Sequence, residues 1–144
     1  MSVRQVAVIL LYDAEGRMLL QHRTDDAPTF PRYWALFGGG IEPGETPDQA
    51  VRRECLEELA YKLTAPRLLA VNPLRYDGAD YKIHAFVERY NGAPLTLGEG
   101  QGMGWFNHHE MAGLLMNDHD RSFVRTLSEV LGTHEDKSMV GRYP

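Results

Sequence analysis

Residues 38–61 read GGGIEPGETPDQAVRRECLEELAY, and this stretch carries the clearest helix signal in the chain. Three glycines and a short loop lead to Thr46, a good N-cap residue, and Pro47 then occupies the first helical position. Gln49 stands three residues after Thr46, which is the spacing of a capping box. The pattern therefore predicts a helix that begins at Pro47 and runs to about Ala60.

This helix is expected to have two faces of different chemistry, since successive residues turn by about 100°. One arc is apolar, with Val51, Cys55, Leu56 and Leu59. The opposite arc is acidic, with Glu54, Glu57 and Glu58. The like charges of Glu54 and Glu58 repel at i,i+4 spacing, and the negative end of the helix dipole disfavours them further. Carboxylates one turn apart can share a hard cation such as Mg²⁺. The acidic face thus indicates either a metal site or a solvated surface.

Outward from the helix, hydrophobic periodicity and turn signals predict one mixed α/β domain. Strands are predicted at 3–12, 17–23, 34–37, 67–74, 81–90, 95–97 and 103–106. The glycines at 38–40 are expected in a loop, and turns are expected at 13–16 and 77–78. Two further helices are predicted at 109–115 and 118–131. We assign residues 1–131 to the domain and residues 132–144 to a C-terminal tail that lacks periodicity and can be mobile.

Composition narrows the classes of function. The 144 residues carry a formal net charge of -5, which argues against binding to nucleic-acid polymers or anionic membranes through a basic face. A small polyphosphate remains compatible, because a bound divalent cation reverses the local sign of charge. The single cysteine, Cys55, forms no internal disulfide and fits a reducing compartment. The apolar run at 6–11 is too short to span a bilayer, so we expect a cytoplasmic protein.

The order of residues from Gly39 to Tyr61 closely resembles the Nudix box, whose pattern is G-x5-E-x7-R-E-U-x-E-E-x-G-U, with U a bulky apolar residue. Six positions match in identity and spacing: Gly39, Glu45, Arg53, Glu54, Glu57 and Glu58. Ala60 replaces the last glycine, Cys55 replaces a larger apolar residue, and Phe37 stands where many relatives have proline. These departures change packing and the end of the helix, and they leave the chemical groups in place.

This resemblance implies the Nudix fold, an α/β/α sandwich around a mixed β-sheet, and a MutT-like hydrolase of a phosphoanhydride bond. The cofactor would be Mg²⁺, with Mn²⁺ as a substitute. The implied metal ligands are Glu54, Glu57, Glu58, Glu99 and the carbonyl oxygen of Gly38. Arg53 would orient the glutamates, with Glu45 in support. The general base would be Glu57, Glu58 or Glu99, and the resemblance leaves the choice open.

The substrate is less well defined by the sequence. Arg23 stands where MutT-like proteins place a basic group near the nucleotide, although it can equally be a surface arginine. Asp120 falls near the position that reads the purine edge and can accept hydrogen bonds from a guanine-like edge. The candidates for a stacking surface are Tyr33, Trp34, Tyr76, Tyr81 and Trp105. His108, His109 and His119 lack a partner pattern and are expected at the surface.

The leading hypothesis is a pyrophosphohydrolase acting on a nucleoside triphosphate, oxidised or canonical, to give a nucleoside monophosphate and pyrophosphate. One alternative is a hydrolase of a nucleotide sugar such as ADP-ribose. A second alternative is a non-catalytic Nudix domain that senses a nucleotide. In each case the partner is a small nucleotide, and the sequence does not define an oligomeric state.

Overall fold

A mixed sheet of seven strands forms the centre of the molecule, in a computed structural model that describes residues 2–98 and 100–139. The strands are β1 (Arg4–Tyr12), β2 (Met18–His22), β3 (Trp34–Ala35), β4 (Phe37–Gly40), β5 (Arg67–Tyr76), β6 (Ala79–Arg89) and β7 (Gly102–Phe106). The helices are α1 (Pro47–Leu59), α2 (His108–Met111) and α3 (Asp118–Met139). Five strands follow the order β3-β2-β1-β6-β5, with β4 paired to β1 and β7 paired to β2.

Strand β1 is the central element, because it pairs with three other strands. It runs parallel to β6 and antiparallel to β2 and β4. The sheet is therefore mixed, as the sequence predicted. The hairpin between β5 and β6 turns at Asp77 and Gly78, whose φ angles are +49° and +77°. An Asp-Gly pair with both residues at positive φ is the sequence signal of a type I′ turn.

Alternate residues of β1 build two cores on opposite faces of the sheet, because side chains along a strand alternate with period two. Ala7 and Ile9 pack with residues of α1 in one core. Val8 and Leu10 pack in the other core, with Phe123 of α3 among their neighbours. A sheet covered by α1 on one face and by α2 and α3 on the other is the expected α/β/α sandwich, and this prediction is confirmed.

Several predicted boundaries were wrong. The glycines at 38–40 belong to β4 and pair with β1, because backbone pairing does not require side chains. Residues 95–97 are not a strand and lie instead along the end of α1. Helix α2 ends at Met111, and α3 continues through Gly132 to Met139. A single glycine costs a helix about 1 kcal/mol, which does not suffice to end it.

Helix α1 begins as predicted and faces in a different direction. Thr46 and Gln49 form both hydrogen bonds of the capping box. Leu56, predicted in the apolar arc, is 55% exposed, whereas Glu58, predicted on the opposite face, is only 4% exposed. Glu58 stands about 20° from Val51 around the helix axis, so the buried side of α1 includes this carboxylate. Glu58 is therefore buried against the rest of the protein, whereas Glu57 of the same acidic face is exposed.

Within the described part of the chain, no helix combines the length and the apolar character needed to cross a lipid bilayer.

Candidate active site

A cavity of about 400 Å³ opens between the sheet, the β4 glycines and the first turn of α3. Its charged lining residues come from three parts of the chain, namely the residue after β2, helix α1 and helix α3: Arg23, Glu54, Glu58 and Asp120. Val6, Val8 and Ile83 form an apolar floor. The structure therefore brings both predicted substrate-binding residues and three of the predicted metal ligands, Gly38, Glu54 and Glu58, to one cavity.

Arg53 is the hub that holds the loop before α1 against the helix. Its Nε and Nη2 atoms donate to the two carboxylate oxygens of Glu45 at 2.7 and 3.0 Å. Nη1 donates to Glu54 at 3.0 Å and to Glu57 at 3.3 Å, while Nη2 also donates to the Gly40 carbonyl at 3.0 Å. The hydrogen bond from Arg53 is the main cause that lowers the pKa of Glu45 to about 2. Bidentate pairs of this kind fix geometry as well as charge.

Two glycines allow α1 to approach β4 closely enough to place carboxylates in the cavity. The Gly38 amide donates to Oε1 of Glu58 at 2.9 Å. A Cβ atom on Gly39 would lie 2.6 Å from Oε2 of Glu54, closer than real Cβ contacts allow. The absence of a side chain at Gly39 therefore leaves room for the Glu54 carboxylate, whereas a Cβ atom at Gly38 would meet the backbone of β1.

The oxygen donors at this end of the cavity match the ligand preference of Mg²⁺ in chemical type. Glu54 and Glu58 both line it, one helical turn apart, whereas the Glu57 side chain is 60% exposed and paired with Arg53. Across residues 2–98 and 100–139, however, three Asp, Glu, His or Cys side chains are nowhere grouped so that they could hold a metal ion. The fit to Mg²⁺ therefore rests on donor chemistry, and a complete ligand set requires Glu57 to turn or another carboxylate to join.

The segment that precedes Glu99 is attached to the last turn of α1. The Thr96 amide donates to the Leu59 carbonyl at 2.9 Å, and the Gly98 amide donates to the Glu58 carbonyl at 2.7 Å. These bonds satisfy two carbonyl groups that a helix end leaves without intrahelical partners. Glu99 itself lies outside the described residues, as do residues 140–144 of the tail. The predicted role of Glu99 stays a prediction.

Arg23 reaches the cavity from the end of β2 and also holds the loop that follows. Its Nε atom donates to the Thr29 carbonyl at 2.7 Å, and Nη2 donates to the Thr29 hydroxyl at 3.1 Å. These bonds use two of the five N–H donors of the guanidinium group. The same side chain can therefore hold the loop and still donate to an anionic substrate.

Asp120 is buried in the cavity wall. Its Oδ2 accepts hydrogen bonds from the Leu36 amide and from Nδ2 of Asn117, both at 3.3 Å. Burial raises the pKa of Asp120 to about 6, although these two hydrogen bonds and the charge of Arg23 oppose the shift. Asn117 in turn accepts from the Asp120 amide at 2.7 Å. Asn directly before a helical pattern is an N-cap signal, and this signal would have located Asn117.

We expect Asp120→Asn to stabilise the protein at pH 8 and to have little effect at pH 4. With its pKa raised from 3.8 to about 6, the folded state binds more protons than the unfolded state between these values, so stability falls as pH rises through this window. Asparagine cannot ionise and avoids that cost, which reaches up to about 3 kcal/mol above pH 6. Urea unfolding at both pH values measures the difference. An equal change at pH 4 and pH 8 would contradict the assignment.

The aromatic residues that were predicted as a stacking surface fall into two groups in the structure, inside and outside the cavity. Tyr76 and Tyr81 line the cavity, whereas Trp34 stacks on His22 and Trp105 packs against Tyr90. The ring of Tyr33 contacts Phe30, which also lines the cavity. Phe30 was not predicted from the sequence, because one aromatic residue in a loop has no periodic signal.

His119 was wrongly predicted as a surface residue. It lines the cavity, its ring packs edge-on against Phe123, and burial lowers the pKa of its imidazole. Its Nε2 atom is buried without a hydrogen-bond partner among the described residues. His108 and His109 are exposed as predicted. Cys55 is buried in the core as predicted, and burial raises the pKa of its thiol to about 12, so it is inert as a nucleophile.

The fold and the cavity define an α/β/α sandwich with a carboxylate-bearing helix at one end of a ligand-sized cavity. Residues 1–127 match the NUDIX domain family. The chain belongs to this family, which confirms the resemblance seen in the sequence.

Individual relatives agree with this assignment. The chain is 43% identical over 67 residues to the nucleoside triphosphatase NudI of Escherichia fergusonii, a match that covers 46% of this chain and 48% of that protein. The chain thus spans about half the length of the curated relatives it matches. The crystal structure of a MutT protein from Methanosarcina mazei superimposes with a TM-score of 0.80 at 20% identity, covering 90% of this chain and 95% of that one. The NUDIX domain of Shewanella oneidensis NrtR, complexed with ADP ribose, gives a TM-score of 0.78 at 16% identity and covers 91% and 90%. At these identities the two structures show the fold alone.

Proposed function

We propose that this chain is a Mg²⁺-dependent hydrolase that converts a nucleoside triphosphate to a nucleoside monophosphate and pyrophosphate. The observation that carries the proposal is the set of residues that line the cavity of about 400 Å³. Carboxylates of Glu54 and Glu58 stand at one end, and Arg23 and Asp120 belong to the same lining. The name of the NudI relatives, nucleoside triphosphatase, supports a triphosphate substrate. We propose the reducing cytoplasm as its compartment, from the single reduced cysteine.

The two ends of the cavity would bind two parts of one substrate. Arg23 would donate to a phosphate oxygen, because the guanidinium fork matches phosphate geometry. Asp120, when ionised, would accept hydrogen bonds from a base edge that offers donors, such as that of guanine. The apolar floor would exclude water from the flat face of the base. The substrate would therefore extend from the first turn of α3 toward α1.

In the reaction, a water oxygen forms a bond to phosphorus as the anhydride P–O bond on the far side breaks and pyrophosphate leaves. The proton of the water passes to a carboxylate that serves as general base. Glu57, Glu58 and Glu99 are the candidates for this base. Arg53 would keep Glu54 and Glu57 in place, as a positioning residue. Bound Mg²⁺, held by Glu54, Glu57, Glu58, Glu99 and the Gly38 carbonyl, would neutralise phosphate charge and acidify the water; Mn²⁺ could replace it.

We expect pyrophosphate release from GTP to require a divalent cation. EDTA in excess should reduce release to the background rate, and added Mg²⁺ should restore it, because without a cation the carboxylates repel the substrate phosphates. A coupled assay for pyrophosphate and phosphate measures both products. Full activity in EDTA would overturn the metal-dependent mechanism. Nucleotide binding without any product in Mg²⁺ would instead favour the sensing domain.

A second candidate substrate is a nucleotide sugar such as ADP-ribose. One observation favours it, namely that a solved NUDIX domain with the same fold was obtained with ADP ribose. The same assay, run with ADP-ribose and analysed for AMP, compares the two substrates directly. A higher kcat/KM for ADP-ribose than for any nucleoside triphosphate would reverse the order of the two proposals.

A further inference from the structure

The loop between β2 and β3 holds two residues in an unfavourable backbone conformation. Phe30 and Arg32 have φ angles of +45° and +67°, although neither is glycine. Non-glycine residues rarely adopt this region and persist there only where surrounding contacts fix them. Two such contacts hold this loop. The Arg32 amide donates a hydrogen bond to the Thr24 carbonyl at 3.1 Å, and the Arg23 side chain donates to Thr29. The loop therefore has one defined shape.

Tyr76 fixes Phe30 from a different part of the sheet. Tyr76 ends β5, the edge strand opposite the loop, and its hydroxyl oxygen accepts a hydrogen bond from the Phe30 amide at 3.2 Å. The two rings also pack together, with their centroids 4.1 Å apart and their planes at 36°. This pair bridges the loop between β2 and β3 and the tip of the β5–β6 hairpin.

Both rings belong to the lining of the cavity and neither is fully buried. A ring that served only the core would be expected to lose its exposed surface, as Phe37 and Phe123 do at 1% and 0% exposure. Phe30 instead keeps part of its surface accessible, and Asp120 lines the same cavity. A strained residue, held by a second element and open toward a cavity, is typical of a ligand contact.

We propose that Phe30 stacks on the base of the nucleotide substrate and that Tyr76 is its positioning residue, so that this pair determines selectivity for substrates that carry a base. The inference rests on the proposed function and deepens it. Stacking of a base on an aromatic side chain strengthens binding for every base, because each base has a π-face. The contribution is confined to the base, since the carboxylates and Arg23 serve the phosphates.

The test compares ligands with and without a base in the presence of Mg²⁺. Calorimetry gives the Kd of the non-hydrolysable α,β-methylene analogue of GTP and the Kd of inorganic tripolyphosphate. For Phe30→Leu we expect the first Kd to rise about tenfold, within the range of one stacked base, and the second to stay unchanged. Phe30→Trp keeps an aromatic face and should restore binding of the GTP analogue.

Tyr76→Phe tests positioning, since it removes the hydroxyl and keeps the ring. We expect a smaller rise in the same Kd and in the KM for GTP, with kcat retained. Phe106→Leu is the matched control, because Phe106 in β7 is not part of the cavity lining and its ring packs edge-on against Trp34 with centroids 5.0 Å apart. It should leave the ratio of the two Kd values unchanged. Thermal unfolding checks that each variant folds.

The outcomes separate this inference from the proposed function. If Phe30→Leu weakens both ligands equally, or weakens neither, the stacking role is wrong even where GTP is hydrolysed. A selective loss of the GTP analogue supports stacking even if the protein releases no pyrophosphate, a result that would overturn the hydrolase proposal alone. Failure of the unmodified protein to bind the GTP analogue would overturn both.

Discussion

Replacement of Glu58 by glutamine is expected to lower turnover of GTP by at least about a hundredfold, the low end for loss of a general base. Glutamine has nearly the same shape and can still accept the hydrogen bond that the Gly38 amide donates at 2.9 Å. The fold should therefore survive, whereas the negative charge of Glu58 is lost from the cavity. That charge is required whether Glu58 accepts the proton or holds Mg²⁺.

Two measurements distinguish these roles. If Glu58 is a metal ligand, Glu58→Gln should also weaken Mg²⁺ binding as measured by calorimetry. A high Mg²⁺ concentration should then recover part of the turnover. If Glu58 acts only as the general base, Glu58→Gln should leave the Mg²⁺ affinity unchanged. Glu57→Gln, at the more exposed position, is expected to show a loss of similar size if both residues serve the reaction.

Glu15→Gln is the matched control for this charge change. Glu15 lies in the turn after β1 with a side chain that is 68% exposed and paired with Arg17, away from the cavity. Its turnover should remain close to that of the unmodified protein. Near-normal turnover in Glu57→Gln and Glu58→Gln together would exclude the proposed mechanism.

The box residues could be predicted from the sequence because their chemistry is local. A capping box, a proline at the first helical position and fixed spacings all act within one or two helical turns. The contacts of Arg53 with Glu54 and Glu57 also lie within one turn of α1. The exposure of Leu56 depends on what α1 packs against, which is not local, and it was missed for that reason. The burial of Glu58 was missed although Glu58 stands about 20° from Val51 around the helix axis, because its charge groups it with the acidic residues.

The substrate end of the cavity depends on long-range contacts that no short pattern encodes. Asp120 meets the Leu36 amide across 84 residues of sequence, and Phe30 meets Tyr76 across 46. Because these contacts arise only when β5, α3 and the loop after β2 assemble, sequence spacing indicated Asp120 through resemblance and gave no sign of Phe30. His119 was missed for the same reason.

Helix α1 also shows where the chain tolerates a departure from the family pattern. Ala60 replaces the glycine of the box, yet it takes the left-handed conformation at φ +54° and its amide donates to the Leu56 carbonyl at 3.0 Å. The helix therefore ends as it would with glycine, at a cost of about 1–2 kcal/mol. Ala60 is exposed, so the left-handed conformation does not have to be accommodated within the core.

Alanine at Gly38 and alanine at Gly39 are expected to have opposite consequences, although the two positions are adjacent in β4. A Cβ atom at Gly38 would lie 2.2 Å from the Ala7 carbonyl oxygen and 2.6 Å from the Val8 Cα atom, at a φ of +147°. Backbone atoms of the central strand cannot move aside. Strain and overpacking together should cost about 3 kcal/mol or more and lower Tm by about 10 °C.

At Gly39 the Cβ atom would instead meet the carboxylate of Glu54, at 2.6 Å from Oε2. This carboxylate is the flexible end of a side chain, so it can shift while the strand and α1 remain in place. We expect Tm to change little and turnover to fall about a hundredfold, the loss that a displacement of about 1 Å can cause at a reacting centre. Differential scanning calorimetry and the pyrophosphate assay measure the two effects. If Gly39→Ala keeps full turnover, Glu54 need not stand where it does, and its assignment as a metal ligand is wrong. If Gly39→Ala unfolds as readily as Gly38→Ala, the glycine serves packing and the contact with Glu54 is incidental.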